Sequence, residues 1–287
     1  MKQLLYILTF FLIGYQIYAQ SVPFPIPAPG RRDSDISNAT LIDSGRIRIW
    51  YALNALNIND SETYDDLQRL EIGDTFSKYS SHFVYTSDSL RKEWWKKNKG
   101  ASAAPRLWGP IAKKDWSELY WSEYFKDFSK NILTVFASMP PMVGAYQYSE
   151  DIPVQEWELY DDTITIAEHL CQKATCRFRG RDFVVWFAPD IPVSNGPWKF
   201  GGLPGLILKV YDNEELYVVE CIGIETCEQK YPITMYAYKS YKKTERTKIL
   251  ELRKKIYEDY PKVAGLINLD GTPIKVEPIP YHPLELE

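Results

Sequence analysis

Four cysteines and a nearby histidine are the residues of this sequence most suited to metal or redox chemistry. His169, Cys171 and Cys176 form an H-x-C-x4-C spacing, which matches none of the common zinc patterns, so we expect no metal. With Cys221 and Cys227 the cysteine count is even. An exported chain would then favour disulfides, with three possible connectivities. If Cys171 and Cys176 share one strand they lie about 16 Å apart, beyond disulfide reach. We therefore expect at least one bond, from this strand to Cys221 or Cys227.

The usual catalytic patterns are missing from the sequence. It contains no G-x-S-x-G elbow, no H-E-x-x-H and no phosphate-cradling glycine motif. His82, His169 and His282 have no visible partner motif, so structural roles are favoured over catalytic ones. The pair Asp161-Asp162 reads as a turn. It is disfavoured as a catalytic pair, because neighbouring strand residues point to opposite faces and rarely converge on one substrate. Asp190 is the best-placed acid, and we expect it to anchor an adjacent loop through backbone N–H groups. We predict no catalytic residue and no cofactor.

The adjacent loop, PDIPVSNGPWKFGGLPG at 189–205, carries the candidate ligand site. It joins two predicted strands, and a connection of this length without secondary structure is uncommon and usually functional or disordered. Its apolar residues argue against disorder, and Pro204-Gly205 predicts a type II turn. We expect its aromatic rings to lie near Trp186 and close one end of an apolar pocket. The alternative is a loop that plugs the sheet and binds nothing. The candidate ligand-binding residues are Trp186, Asp190, Trp198, Phe200 and Leu203.

The elements that must position this loop are mostly strands. Alternating or continuous apolar runs predict strands at 46–53, 67–72, 82–86, 132–137, 144–148, 156–160, 164–178, 183–188, 206–211 and 216–224. Helices are predicted at 89–99, at 115–128 with Asp115 as the cap, and at 242–260, where Pro261 would end the helix. The fold class is therefore mainly β (α+β): a curved antiparallel sheet or open half-barrel with two or three helices.

The first 19 residues have the order of a secretory signal peptide. Lys2 precedes an apolar run at 4–13, and Ala19 is the small residue before Gln20. The run is too short for a membrane span, which needs about 20 residues, so we expect cleavage after Ala19. No other stretch is long and apolar enough to cross a bilayer. The mature chain is expected to be soluble, in the periplasm or at the outer-membrane surface or outside the cell.

Composition limits the partners and the domain count. The net charge of −4 comes with basic residues interspersed among acids, which argues against nucleic acid. The 21 Tyr, 12 Phe and 9 Trp suit β-strands. Residues 20–40 are rich in Pro, Ser and Arg and read as a flexible lead-in. We expect a single domain over 41–287, with a variable insertion around 88–130.

Several motifs together resemble the GLPGLI family of exported Gram-negative envelope proteins. The motif consists of Gly202, Leu203, Pro204, Gly205, Leu206 and Ile207. Further similar stretches are GDTFSKYS at 73–80, CQKATCRFRGR at 171–181, WFAPDIP at 186–192 and the tail PYHPLELE at 280–287. The resemblance implies a signal peptide and a strand order similar to that of periplasmic lipoprotein carriers. It implies no activity, catalytic residue or cofactor, and fold analogy does not fix a function.

Three functions stay open from the sequence. The first is a non-enzymatic binding or carrier module for a small apolar or peptide-like ligand, favoured by a deep apolar cavity under Trp198 and Phe200. The second is an unrecognised envelope hydrolase, favoured by a polar cleft where His169 meets an acid and a nucleophile. The third is an assembly partner of an outer-membrane transporter, favoured by a flat aromatic face. We expect the binding module.

Overall fold

The computed structural model describes residues 23–104 and 107–287, and this part of the chain is mainly β. The strands are β1 (Ala39–Leu53), β2 (Asp66–Gly73), β3 (Phe76–Ser81), β4 (Ser122–Asp127), β5 (Ile132–Ser138), β6 (Ala145–Asp151), β7 (Glu158–Ile166), β8 (His169–Phe178), β9 (Arg181–Ala188), β10 (Leu206–Asp212), β11 (Val218–Tyr236) and β12 (Lys242–Lys243). The helices are α1 (Asp33–Ile36), α2 (His82–Lys97) and α3 (Arg246–Ala264). The predicted signal peptide and its cleavage site lie outside the described residues.

All twelve strands belong to one open sheet, which confirms the predicted fold class. Its order is β12-β6-β5-β4-β3-β2-β1-β11-β10-β9-β8-β7. Neighbouring strands are antiparallel, except that β12 pairs with β6 in parallel. Because β12 and β7 form the two ends of the sheet, it does not close into a barrel.

The sheet consists of two parts joined by a short seam. Strands β10 and β11 share only three residue pairs, from Lys209–Glu220 to Tyr211–Val218, although β11 pairs with β1 along most of its length. Apolar residues from both parts, such as Val135 of β5 and Val185 of β9, belong to one buried cluster. The main core therefore lies on the face that the two parts share. A smaller cluster around Phe125 and Tyr238 covers the opposite face.

The element predictions are mostly confirmed, and the two clear errors lie between β3 and β5. The predicted strand at 82–86 is the first part of α2, because the Ser81 side chain caps that helix by accepting the Val84 N–H. The predicted helix at 115–128 contains β4 instead. Every residue of β4 is buried, since both faces of the strand are covered. A strand buried on both faces shows no alternation, and its Tyr and Phe side chains mimicked a helical stripe.

Two turns also differ from the prediction. The pair Asp161-Asp162 lies inside β7, where the register with β8 shifts between Leu159 and Thr163, so it is a bulge and not a turn. The predicted long strand at 164–178 is interrupted at Ala167 and Glu168, whose φ angles are positive. The remaining part, β8, is continuous.

The two ends of the described chain both pack on the sheet. The predicted helix at 242–260 is α3, with Ile249, Ile256 and Tyr260 buried as expected. It kinks at Asp259 and continues past Pro261, so the prediction that this proline ends the helix is wrong. The predicted flexible lead-in lies against the protein, with Ile26 and Ile36 buried. Within 23–104 and 107–287, no helix combines the length and apolarity needed to cross a membrane.

Candidate functional site

The loop at 189–205 is held closely against β9 and β10 by its own backbone. The N–H groups of Leu206 and Ile207 donate to the carbonyl oxygens of Ile191 and Asn195, each at 3.0 Å. The predicted type II turn is wrong, because the positive φ of 84° belongs to Gly202 and not to Gly205. Glycine is needed at 205 for another reason: a Cβ there would lie 2.2 Å from the carbonyl oxygen of Ala188.

The apolar residues of the loop pack into the main core. Trp198, Phe200 and Leu203 are each at most 4% exposed. The Phe200 ring lies 4.9 Å from the ring of Phe183 on β9, and the Trp198 ring lies 5.5 Å from that of Phe178 on β8. The cavity that remains beside them measures about 30 Å³, enough for about two water molecules at most. This geometry fits the plug alternative.

Trp186 is partly buried and packs against the same main core, but it makes no ring contact with the loop aromatics among the described residues. Along β9 the buried residues alternate through Phe183, Val185 and Phe187, and successive strand residues point to opposite faces. Alternation therefore places Trp186 on the opposite face of β9 from Phe183, and the expected closeness of Trp186 to the loop aromatics stays a prediction. Of the five candidate ligand-binding residues, the structure brings together only Trp198, Phe200 and Leu203.

Asp190 lies at the start of the loop and contacts His169 of β8. The His169 Nδ1 and Asp190 Oδ2 atoms are 2.7 Å apart, with side chains 29% and 58% exposed. The predicted anchoring of the loop backbone by Asp190 is thus replaced by a side-chain pair. The nearby Cys171 donates its thiol to the His169 carbonyl oxygen, and burial raises the pKa of this thiol to about 11. A thiol that stays protonated is a poor nucleophile.

Lys126 of β4 lies beneath the loop and was not found from the sequence. Its Nζ donates to the Asn195 side-chain oxygen at 2.9 Å and to the Phe200 carbonyl oxygen at 2.5 Å. Burial lowers the pKa of Lys126 to about 7. Both acceptors are neutral, so desolvation of the ammonium is opposed by hydrogen bonds alone. Lys126 therefore ties the loop to the first part of the sheet.

The loop is also tied to the C-terminal tail. Lys199 is fully buried, and its Nζ lies 2.8 Å from a Glu150 oxygen and 2.7 Å from a Glu285 oxygen. Arg246 of α3 lies 2.7 Å from the second Glu285 oxygen. Although burial works against its charge, Lys199 and Arg246 hold the pKa of Glu285 below its usual value. The loop and the PLELE tail, both part of the family-like motifs, are thus one packed unit.

The FRGR stretch joins the same unit. The Arg181 Nε–H donates to the Pro283 carbonyl oxygen at 2.8 Å, and the Leu286 N–H donates to the Arg179 carbonyl oxygen at 2.9 Å. A Cβ at Gly180 would lie 2.8 Å from the Leu286 side chain. The family-like motifs therefore form one structural unit, in which the FRGR turn, the loop at 189–205 and the C-terminal tail pack together.

A second cluster of charged residues lies under the smaller core on the other face. The Arg31 guanidinium contacts Asp88 at 2.6 Å and Glu123 at 2.9 Å, and Lys78 contacts Glu123 at 3.1 Å. Burial opposes the charge of Glu123, yet Arg31 and Lys78 lower its pKa to about 2. Tyr238 also donates its hydroxyl to Glu123. These charges fix the segment that contains Arg31 to α2 and β4.

An open cleft of about 430 Å³ lies beside this cluster. We call it the basic cleft; its walls are 29–32, 138–145 and 240–242, together with Asp35. It lies where β5 ends and where β6 and β12 begin. No sequence motif marks the basic cleft, because its three walls are distant along the chain. The only local signal was the pair Arg31-Arg32 in a segment read as flexible.

The four cysteines are free in the structure. Cys171 and Cys176 lie on the continuous strand β8, which supports the expectation that they do not pair. The predicted bond from this strand to Cys221 or Cys227 is not formed here. Among the described residues, no group of three or more His, Cys, Asp or Glu side chains is arranged to hold a metal ion.

Comparisons with known proteins give a family match over part of the chain. Residues 179–209, from the FRGR turn into β10, match the model of a family described as "Protein of unknown function (Porph_ging)". No curated protein matches the chain.

Two solved structures of PNGF-II resemble the chain at low identity. The structure in the C2 space group has a TM-score of 0.47 and 14% identity, and it covers 72% of this chain and 32% of that one. The structure in the P21 space group has a TM-score of 0.43 and 15% identity, and it covers 64% of this chain and 29% of that one. The chain thus spans about a third of the length of these relatives, and a likeness this low carries no functional argument.

Proposed function

We propose that this protein is an exported, non-enzymatic binding module of the GLPGLI type, and that it holds a peptide-like ligand on its outer surface. The observation that carries the proposal is the contrast between two spaces. The cavity under the loop measures about 30 Å³, whereas the basic cleft measures about 430 Å³. Ligand pockets typically measure about 300–1,000 Å³.

The filled core weighs against a carrier of enclosed apolar ligands. Trp198 and Phe200 occupy the position that such a ligand would take. Removing them from the core would expose both rings and disrupt the hydrogen bonds from Lys126 to the loop. The loop therefore serves better as a rigid support than as a lid, and binding is assigned to surfaces outside it.

Binding is favoured over catalysis by the surroundings of the one acid–histidine pair found among the described residues. The contact of His169 with Asp190 at 2.7 Å is what a hydrolase would need as its base. A nucleophile activated by that base is also required. The adjacent candidate, Cys171, is buried and its pKa is raised to about 11. We therefore read the pair as a brace between β8 and the start of the loop.

An unbiased peptide selection tests the proposed function. The immobilised protein is panned with a displayed library of random 12-residue peptides, in parallel with a heat-unfolded sample of the same protein as the control. We expect enriched peptides that bind the folded protein in solution, measured by calorimetry. Binding should survive in Trp198→Phe, which keeps the plug aromatic. Failure of the folded protein to enrich any peptide above the unfolded control would refute the proposal.

A further inference from the structure

The side chains of the basic cleft give it an excess of positive charge. Arg31, Arg32 and Lys242 line it together with one carboxylate, Asp35. The charge of Arg31 is already balanced by Asp88 and Glu123, so the excess comes from Arg32 and Lys242. The Asp35 carboxylate is already engaged, because it accepts the Ser240 hydroxyl at 2.6 Å and the Ser240 N–H at 3.2 Å. Arg32 and Lys242 are exposed. The charge of the cleft therefore complements an anion.

A buried, ion-paired arginine fixes one wall of the same cleft. Arg31 has a side chain only 3% exposed, and Asp88 and Glu123 engage its two terminal nitrogens. Tyr241 also interacts with this guanidinium. These contacts hold the 29–32 wall in place, so the neighbouring Arg32 side chain extends from an ordered segment, which limits the entropy lost on binding.

The cleft adjoins the open end of the sheet. Lys242 belongs both to the cleft and to β12, and β12 is the last strand of the order. Its outer edge pairs with no strand of the described chain. An exposed sheet edge offers backbone groups to an extended peptide, while neighbouring pockets take its side chains. This combination favours a peptide over an isolated small anion.

The walls of the cleft are rigid on one side and adaptable on another. Pro29, Pro140 and Pro141 restrict the backbone of two walls. Met142, which is 76% exposed, adds a flexible apolar side chain at the rim. Tyr241 and Ser138 share a hydroxyl hydrogen bond of 2.6 Å at the base. The site can thus hold aliphatic as well as charged parts of a peptide.

We propose that the basic cleft binds an extended peptide through an acidic side chain, with Arg32 and Lys242 as its specificity residues. The inference rests on the proposed function and adds the site and the ligand class. The carboxylate lies between the exposed cations Arg32 and Lys242, and the peptide backbone runs along the outer edge of β12.

Three pools of fluorescent eight-residue peptides test this inference by fluorescence polarisation. One pool fixes two Glu residues, the second fixes two Gln residues and the third fixes two Lys residues, with the same random positions otherwise. We expect the Glu pool to bind at least 10-fold more tightly than the Gln pool, and its binding to weaken in high salt. The double variant Arg32→Glu/Lys242→Glu should abolish this preference.

A matched charge reversal separates the site from the overall charge. Lys96→Glu/Lys97→Glu makes the same charge change at exposed positions of α2 outside the cleft, and it should leave binding within 2-fold of wild type. Circular dichroism would confirm that both variants fold. Glu-pool binding that resists the cleft reversal, or preference for another pool, would overturn the site while leaving a binding module. Absence of binding to all three pools would overturn the inference and count against the proposed function as well.

Discussion

Replacing Lys126 by methionine should change how the stability of the protein depends on pH. Lys126 is the buried amine under the loop, hydrogen-bonded to Asn195 and Phe200. Methionine keeps an unbranched side chain of similar length but cannot titrate. The comparison therefore isolates the protonation of one group from the packing around it.

The size of the effect follows from the two states of the lysine. In the folded protein burial lowers its pKa to about 7, whereas an unfolded lysine has a pKa of about 10.4. Between these values the unfolded chain binds more protons, so stability rises with pH. The slope approaches about 1.4 kcal/mol per pH unit. From pH 7 to pH 9 the wild-type free energy of unfolding should gain about 2 kcal/mol from this group.

Urea unfolding followed by tryptophan fluorescence at pH 7, 8 and 9 measures this gain. The difference between wild type and Lys126→Met should grow by about 2 kcal/mol across the range, whatever the absolute stability of the variant. Lys130→Met, at a side chain that is 68% exposed, serves as the control and should run parallel to wild type. Parallel curves for Lys126→Met would refute the argument that this amine is desolvated without a counter-charge.

Three further substitutions test the packed unit of loop and tail. Gly205→Ala should lower the free energy of unfolding in urea by about 1–3 kcal/mol, because the new Cβ would meet the Ala188 carbonyl oxygen. The control Gly223→Ala should be tolerated, since the nearest atom to its Cβ lies 4.0 Å away. Equal stability of the two variants would disprove the close approach at Gly205. Trp198→Ala should cost about 3–5 kcal/mol as the loss of a core side chain, and a change under about 1 kcal/mol would show that the loop is loosely held. Lys199→Met should cost about 1.5–3 kcal/mol in thermal unfolding, since it removes the buried amine shared by Glu150 and Glu285 while Arg246 stays in contact with both carboxylates; a neutral result would contradict the role of Lys199 in joining the loop to the tail.

Local sequence patterns predicted the elements that bury one face, and those that consist of a continuous apolar run. The helix α3 followed from Ile249, Ile256 and Tyr260 at helical spacing. The strand β9 followed from its apolar run, FVVWFA, and it lies inside the sheet between β10 and β8. The prediction for β4 failed because both faces of the strand are buried, so its sequence lacks strand alternation and its aromatic residues follow a helical spacing instead. Its identity as a strand is decided by pairing with β3 and β5, which a local pattern does not contain.

The loop was recognised from composition, but its role was only half predicted. Its prolines and aromatics indicated an ordered, buried segment, and Trp198 and Phe200 are indeed in the core. The expected pocket and the contact with Trp186 depended on which face each side chain takes. Alternation along β9 places Trp186 and Phe183 on opposite faces of the strand. The sequence prediction did not use this alternation to decide which of the two residues faces the loop.

Polar contacts between residues far apart in the chain could not be predicted from the sequence. Lys126 meets its two acceptors across 69 and 74 residues, and Arg31 meets Asp88 across 57. A lone lysine in an aromatic strand and an arginine in a proline-rich segment both resemble surface residues. Only the sheet order brings their partners together, so the basic cleft emerges from topology and not from any motif.

Hydrogen exchange with a bound peptide is the most direct test of where this protein binds. The protein is saturated with the tightest peptide from the unbiased selection, and amide exchange is compared with the free protein by mass spectrometry. Surface binding predicts slower exchange in 29–32, 138–145 and 240–243, with no change in the loop at 189–205. Protection confined to the loop and the strands beneath it would contradict this account, because the ligand would then occupy the space assigned to the plug.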